Sequence, residues 1–127
     1  MKVLLDSVIL IDHFNGVTEA TGYLRRERGN AAISVITRAE VLAGFDAAGA
    51  ERAKPLLELF PVLTITKEVA DQAAILRREN GWKLPDAFQA ALAQIHKLQL
   101  ATRNTRDFPP GQYAFITVPY GGKQTGE

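Results

Sequence analysis

The chain has 127 residues, of which 46% are hydrophobic, and its formal net charge is +1. This length fits one domain with a sizeable core, and the near-neutral charge excludes the strongly basic proteins that bind nucleic acids by charge alone. The absence of cysteine excludes disulfide frameworks, thiolate zinc sites and thiol nucleophiles, and it fits a reducing cytoplasm. No apolar stretch approaches the ~20 residues that span a bilayer, and Asp6 interrupts the first apolar run too early for a signal peptide.

The first residues place an acidic side chain directly after a short apolar segment. Val3–Leu5 is too short for a helix and is typical of a buried strand. The apolar positions from Val8 to Phe14 predict a helix that stops at Gly16. Asp6 then lies at the carboxyl end of the strand, where open α/β sheets bind ligands. A carboxylate there costs solvation energy unless a cation meets it.

Strands and helices alternate along the rest of the chain. The pattern predicts helices over 19–28 (capped by Thr18), 37–47, 51–60, 67–79 and from Leu84-Pro85 onward. It predicts strands over 31–34, 62–65, 98–102 and 113–118, and a loop over 103–112. Gly49 is expected to break the third helix, and Pro55 to kink or delay the fourth. This alternation predicts an α/β domain over 1–120 with a mostly parallel sheet covered on both faces, followed by a mobile tail over 121–127.

Acidic residues recur at one edge of this predicted sheet. They are Asp6 after the first strand, Glu40 in the first turn of the third helix, Asp86 just after Pro85, and Asp107 in the loop after the fourth strand. Strand carboxyl ends and helix amino ends gather at the same edge of such a sheet. Carboxylate oxygens suit Mg²⁺ and Mn²⁺, and a bound ion polarises a phosphoryl oxygen and lowers the pKa of a bound water.

Each acid also has an ordinary structural explanation. Glu40 could complete a capping box with Thr37, and Asp86 could complement a helix dipole. Asp107 could be a turn residue, and Asp6 a loop residue. Spacing alone therefore leaves metal binding and these structural roles about equally open.

Four segments that contain these acids occur in a characteristic order. They are Val3–Asp12, Ile36–Gly44, Leu84–Ala93 and Ala101–Phe108, and together they extend over nearly the whole chain. In this order they resemble the PIN-domain ribonucleases, and most closely the VapC-type toxins of prokaryotic toxin–antitoxin pairs. The resemblance implies a three-layer α/β/α sandwich and one or two Mg²⁺ or Mn²⁺ ions as the cofactor.

The resemblance also implies roles for individual residues. Asp6, Glu40 and Asp86 would bind the metal. The fourth position falls on Asn104 or Asp107, and Asp107 is preferred as a direct or water-mediated ligand because it carries the charge.

Other residues near the proposed metal would have supporting roles. Asn104 would assist by hydrogen bonding, Thr102 would position the loop, and Ser7 would hydrogen-bond near the metal. Arg103 and Arg106 flank the loop and are candidates for phosphate contacts with RNA.

The activity implied by the resemblance is hydrolysis of phosphodiester bonds in RNA, with transfer or ribosomal RNA as the substrate class. Metal ions would activate water for in-line attack and stabilise the leaving 3′-oxygen, which gives 5′-phosphate and 3′-hydroxyl ends. The resemblance further implies a cognate antitoxin, a homodimer and a cytoplasmic location. Operator DNA would be contacted only through the antitoxin, and no membrane is involved.

Two other functions are open at this point. One is a PIN-like subunit that assembles a regulatory complex on DNA with little or no nuclease activity, although the intact acids argue against it. The other is a receiver-like signalling domain, which is disfavoured because Lys67 follows the middle strand where a phospho-acceptor aspartate is needed. Asp12 and His13 are predicted mainly as structural or solvated positions. Trp82 either packs over a helix junction or stacks on a base.

Overall fold

A computed structural model describes residues 1–109 and 111–121. Within them the strands are β1 (Val3–Leu5), β2 (Ala31–Ser34), β3 (Val62–Leu63), β4 (Gln99–Ala101) and β5 (Ile116–Thr117). The helices are α1 (Ser7–Phe14), α2 (Thr18–Glu27), α3 (Val35–Ala43), α4 (Ala47–Leu57), α5 (Lys67–Asn80) and α6 (Leu84–His96). In this part of the chain, every helix falls short of the length and hydrophobicity that a bilayer-crossing segment requires.

The described strands form one sheet in the order β3-β2-β1-β4-β5, and each neighbouring pair is parallel. β1 lies at the centre, where Leu4 pairs with Ala32 on one side and with Leu100 on the other. β2 and β3 extend the sheet on one side of β1, and β4 and β5 then extend it on the other side. The carboxyl end of β1 is therefore the topological switch point, where ligands bind in open α/β sheets.

Helices cover both faces of the sheet. Leu4 belongs to one hydrophobic cluster and Leu5 to the other, and successive strand residues point to opposite faces. The cluster of Leu4 contains residues of α5 and α6, such as Val69 and Leu92. The cluster of Leu5 contains residues of α1 to α4, such as Ile9. This confirms the predicted three-layer α/β/α sandwich with a parallel central sheet.

The start of α3 differs from the prediction. The helix begins at Val35, because Ser34 serves as its N-cap and its Oγ accepts a hydrogen bond from the Thr37 N–H at 3.0 Å. Glu40 is therefore in the second turn and not the first. The proposed capping box between Thr37 and Glu40 is wrong, since Thr37 lies inside the helix. The ordinary structural explanation for Glu40 is thereby removed.

The boundary between α3 and α4 was also predicted wrongly. α3 ends at Ala43, and α4 begins at Ala47, where the Asp46 side chain accepts a hydrogen bond from the Gly49 N–H at 2.8 Å. Gly49 lies inside α4 and does not break a helix. Pro55 is near the carboxyl end of α4. The side-chain cap at Asp46 outweighs the modest helix penalty of one glycine.

Other boundaries were predicted with mixed success. α5 is confirmed, with Thr66 as its cap and Gly81 in the left-handed conformation at φ 74°. Thr18 is the first residue of α2 and not its cap, because Val17 occupies that position without a side-chain hydrogen bond. β3, β4 and β5 are shorter than predicted. The predicted mobile tail, apart from Gly121, lies outside the described residues.

Candidate active site

The Asp6 carboxylate is held by hydrogen bonds from three parts of the fold. Its Oδ1 accepts from the Ser7 N–H at 2.8 Å and from Gln89 Nε2 at 3.3 Å, and its Oδ2 accepts from Thr102 Oγ1 at 2.7 Å. These donors belong to α1, α6 and the loop after β4. Asp6 is only 7% exposed. The side chain is therefore fixed in orientation at the switch point, and its negative charge is stabilised by the donors.

The two oxygens of Asp6 differ in what they can still accept. Each carboxylate oxygen takes about two hydrogen bonds or ligands. Oδ1 already accepts from Ser7 and Gln89, whereas Oδ2 accepts only from Thr102. Oδ2 is therefore the oxygen with acceptor capacity to spare.

A buried hydrogen-bond network behind Asp6 was not predicted from the sequence. Gln89 Nε2 also donates to Thr37 Oγ1 at 2.6 Å, and Thr37 Oγ1 donates to the Leu5 carbonyl at 3.3 Å. Gln89 follows Asp86 by three residues, so both lie on one face of α6. The available signal was a lone amide among the small apolar residues Ala87, Ala90 and Ala91, which is an unusual residue type for a buried helix face.

The loop after β4 carries Asp107 toward α6. Asn104 organises this loop, because its N–H donates to Thr102 Oγ1 at 2.9 Å and its Nδ2 donates to Asp107 Oδ2 at 3.0 Å. The Asp107 N–H in turn donates to Asn104 Oδ1 at 3.3 Å. Trp82 is 4% exposed and its indole N–H donates to the Asp107 carbonyl at 3.0 Å, so it packs under the loop and is not available to stack on a base.

The acids influence one another electrostatically. Partial burial, the charges of Asp6, Asp107 and Glu40, and a side-chain hydrogen bond to Asp107 together raise the pKa of Asp86 to about 6. Like charges in a shared region disfavour ionisation of one another. A divalent cation among these carboxylates would remove that repulsion.

The described side chains do not by themselves form a closed metal cage. Across residues 1–109 and 111–121, no group of three or more Asp, Glu or His side chains is arranged to hold an ion. The charges of Asp6, Asp107 and Glu40 nevertheless act on Asp86. Mg²⁺ keeps several waters and takes only one or two carboxylates directly, so an all-oxygen donor set of this kind fits a hard divalent cation.

Arg103 and Arg106, the predicted RNA-binding residues, have different surroundings. The Arg103 guanidinium donates to Asp12 Oδ2 at 2.7 Å and lies 5.4 Å from the centroid of the Tyr120 ring. Tyr120 also donates its hydroxyl to Asp12 Oδ2, at 2.8 Å. The Asp12 side chain is 13% exposed, so its prediction as a solvated position is wrong. Arg106 is exposed.

His13 forms its hydrogen bond with α2 and not with any of the four acids. His13 Nδ1 lies 2.7 Å from Thr21 Oγ1 on α2, at a cavity of about 160 Å³ that Leu24, Leu56 and Phe60 also line. The role of His13 in the described structure is a contact between α1 and α2.

Comparison with known proteins decides the family. A family model described as "PIN domain" matches residues 3–109. The chain belongs to the PIN-domain family. It is 37% identical over 114 residues to Ribonuclease VapC10 of Mycobacterium tuberculosis, and the match covers 84% of this chain and 86% of that protein. The predicted membership among PIN-domain proteins of the VapC type is therefore confirmed.

Solved structures share this PIN fold. A toxin–antitoxin complex from Klebsiella pneumoniae matches with a TM-score of 0.85 and 38% identity, over 94% of this chain and 98% of that chain. DNA-bound VapBC from Salmonella typhimurium matches with a TM-score of 0.76 and 20% identity, over 92% and 97% of the two chains. At that lower identity the second match supports the fold alone.

Proposed function

We propose that this PIN-domain protein is a Mg²⁺- or Mn²⁺-dependent endoribonuclease that acts as the toxin of a type II toxin–antitoxin pair. The observation that carries the proposal is the hydrogen-bonded Asp6 carboxylate at the carboxyl end of β1, next to an Asp86 whose pKa is raised by burial and by the charges of Asp6, Asp107 and Glu40. Carboxylates close enough to disfavour one another's ionisation are stabilised when a divalent cation binds among them. The similarity to Ribonuclease VapC10 supports RNA as the substrate.

Asp6 and Asp86 would hold one or two ions, with Glu40 and Asp107 as direct or water-mediated ligands. A bound ion supplies Lewis-acid polarisation of a phosphoryl oxygen and a water of lowered pKa. The protein contributes by holding Asp6 in one orientation through Ser7, Gln89 and Thr102. No covalent intermediate on the protein is required.

The loop after β4 places the other functional groups. Asn104 holds Asp107 through its amide group, and the charge of Asp107 contributes to the raised pKa of Asp86. Arg106 is exposed next to this loop and is proposed to contact RNA phosphates. Arg103 is anchored by Asp12 and would present the remainder of its guanidinium to the same backbone.

The proposed partners follow from the similar toxin–antitoxin complex of Klebsiella pneumoniae. The protein is proposed to be neutralised by a cognate antitoxin in the cytoplasm, to form a homodimer, and to reach operator DNA only through that antitoxin. Transfer or ribosomal RNA is the proposed substrate class.

Cleavage of purified RNA with Mg²⁺ or Mn²⁺ tests the proposal, with EDTA as one control. Asp6→Asn keeps an N-cap acceptor but removes the charge, and Asp71→Asn alters an exposed acid on α5 as the matched control. The proposal expects activity in the wild type and in Asp71→Asn, and none in Asp6→Asn or in EDTA. Undiminished cleavage by Asp6→Asn, or in EDTA, contradicts it.

A second function is favoured by the open arrangement of the acids in the described residues, where no three of them hold an ion directly. In that case the chain is a PIN-like subunit of a DNA-bound regulatory complex with little or no nuclease activity. Purified protein would then bind no Mn²⁺ and cut no RNA from a mixed pool.

A further inference from the structure

Gln89 is a polar residue in the most buried part of the protein. It is 2% exposed and lies on α6 among alanines of the hydrophobic cluster that α5 and α6 form against the sheet. Its Nε2 donates to Asp6 Oδ1 and Thr37 Oγ1, whereas its Oε1 is buried without a hydrogen-bond partner in the described part of the chain. A buried amide with an unpaired oxygen destabilises a fold, so packing does not explain the glutamine.

Chemistry fixes the orientation of the Gln89 amide. An ionised Asp6 carboxylate only accepts hydrogen bonds, so the NH₂ group and not the oxygen of the amide must face it. The Thr37 hydroxyl uses its one proton on the Leu5 carbonyl, so its oxygen is left to accept from Gln89. Ser34 Oγ donates to the same Thr37 oxygen at 3.4 Å. Every hydrogen bond in this chain of contacts has one permitted direction.

We infer that Gln89 is a positioning residue that fixes the Asp6 carboxylate through Oδ1 and leaves Oδ2 to face the cation. Gln89 connects Asp6, at the end of β1, to Thr37 on α3, so a side chain of α6 ties together the elements that carry three of the acids. With Ser7 and Gln89 on Oδ1, the carboxylate cannot rotate about its Cβ–Cγ bond without losing donors. This inference rests on the proposed metal-dependent function.

A substitution that keeps the size of the side chain separates positioning from packing. Gln89→Met fills the same volume without a donor, and Gln72→Met changes a partly exposed glutamine on α5, which donates to Gln94, as the matched control. Partners that orient metal ligands typically contribute 10- to 100-fold to metal affinity. We expect Gln89→Met to bind Mn²⁺ about 10-fold or more weakly, by electron paramagnetic resonance of free Mn²⁺, with the circular dichroism spectrum and Tm of a folded protein.

Activity gives a second readout with a distinct signature. The Mn²⁺ concentration needed for half-maximal RNA cleavage should rise by a similar factor in Gln89→Met and stay unchanged in Gln72→Met. Gln89→Glu turns the donor into an acceptor facing Asp6 and should weaken Mn²⁺ binding further than Gln89→Met. Wild-type Mn²⁺ affinity in a folded Gln89→Met protein overturns the inference.

A second pair of variants serves if Gln89→Met does not fold. Thr37→Val removes the acceptor that holds the Gln89 amide, and Thr37→Ser retains it. Weaker Mn²⁺ binding in Thr37→Val but not in Thr37→Ser supports the inference, and equal affinities overturn it. If the wild-type chain itself binds no Mn²⁺, the proposed function fails and the role of Gln89 fails with it. If the wild type binds Mn²⁺ and the variants match it, only the role of Gln89 fails.

Discussion

The two sides of the candidate site are built differently. On one side, Asp6 is buried and its carboxylate is tied to α1, α6 and the loop after β4 by three donors. On the other side, Glu40 is exposed in the second turn of α3. The difference indicates that the proposed metal site would contain one carboxylate that is oriented without the ion and one that would adapt to it. Metal affinity should therefore depend mostly on the hydrogen-bonded Asp6 carboxylate.

The largest loss of RNA cleavage is expected from a substitution of the buried Asp6. Asp6→Asn keeps the shape of the side chain but removes the charge that would hold the proposed cation. Since a catalytic metal stabilises the transition state by several kcal/mol, RNA cleavage should fall by about 1,000-fold or more. Single-turnover cleavage at saturating Mn²⁺ measures this. A loss of less than about 10-fold would mean that Asp6 is not the central ligand.

A substitution of the exposed Glu40 should reduce RNA cleavage less than a substitution of Asp6. Glu40→Gln removes one exposed charge that water or another oxygen can replace, so we expect cleavage to fall by about 10-fold and the Tm to stay unchanged. The same single-turnover assay measures the first and thermal denaturation the second. A loss as large as that of Asp6→Asn would remove the contrast between the two sides.

The anchoring of the loop on α1 gives a prediction about stability. Tyr120 donates to Asp12, which also pairs with Arg103 next to the loop. Tyr120→Phe removes one partly buried hydrogen bond to a charged group and should lower the free energy of unfolding by about 1–2 kcal/mol. Urea denaturation measures it, with Tyr113→Phe as a control whose hydroxyl bonds to Asn80 at the surface. An equal or smaller loss in Tyr120→Phe would show that this anchor is not important.

The smallest expected effect is a pH dependence of the stability of the metal-free protein. The pKa of Asp86 is raised from 3.8 to about 6 by burial and by neighbouring acids, so the folded state binds more protons than the unfolded state between these values. Stability in EDTA should therefore fall as pH rises through that window, since ionised Asp86 is disfavoured in the folded protein.

Asp86→Asn should remove this dependence and raise the Tm at pH 7 in EDTA. The gain should be about 2 °C, because solvent screens a half-buried charge. Added Mn²⁺ should stabilise the wild type more than the variant. A wild-type Tm in EDTA that rises between pH 4 and 6 relative to Asp86→Asn would contradict the assignment.

The parts of the fold that local chemistry determines could be predicted from the sequence. Thr66 and Gly81 delimit α5 by capping, and the apolar run Val3–Leu5 before Asp6 marks a buried strand. The start of α3 could not be predicted as well, because Ser34 is both the last residue of β2 and the cap of the helix. A serine at a strand end carries no local signal that separates these roles.

The long-range contacts of the candidate site could not be predicted from local sequence patterns either. The four acids were predicted as site residues because their neighbours form recognisable segments. The pairing of Arg103 with Asp12 joins residues 91 positions apart, and the contact of Gln89 with Asp6 joins residues 83 apart. Such contacts depend on the order of strands in the sheet. Periodicity and capping describe only neighbours along the chain.

Diffraction from crystals soaked in Mn²⁺, with the anomalous signal of the metal, tests the central claim most directly. The account predicts an anomalous peak at the carboxyl end of β1, within about 2.0–2.3 Å of Asp6 Oδ2 and with Asp86 as a second ligand directly or through water. Gln89 should still donate to Asp6 Oδ1 in that structure. A fully soaked crystal with no peak near Asp6, or with its only peak away from these acids, would contradict the account.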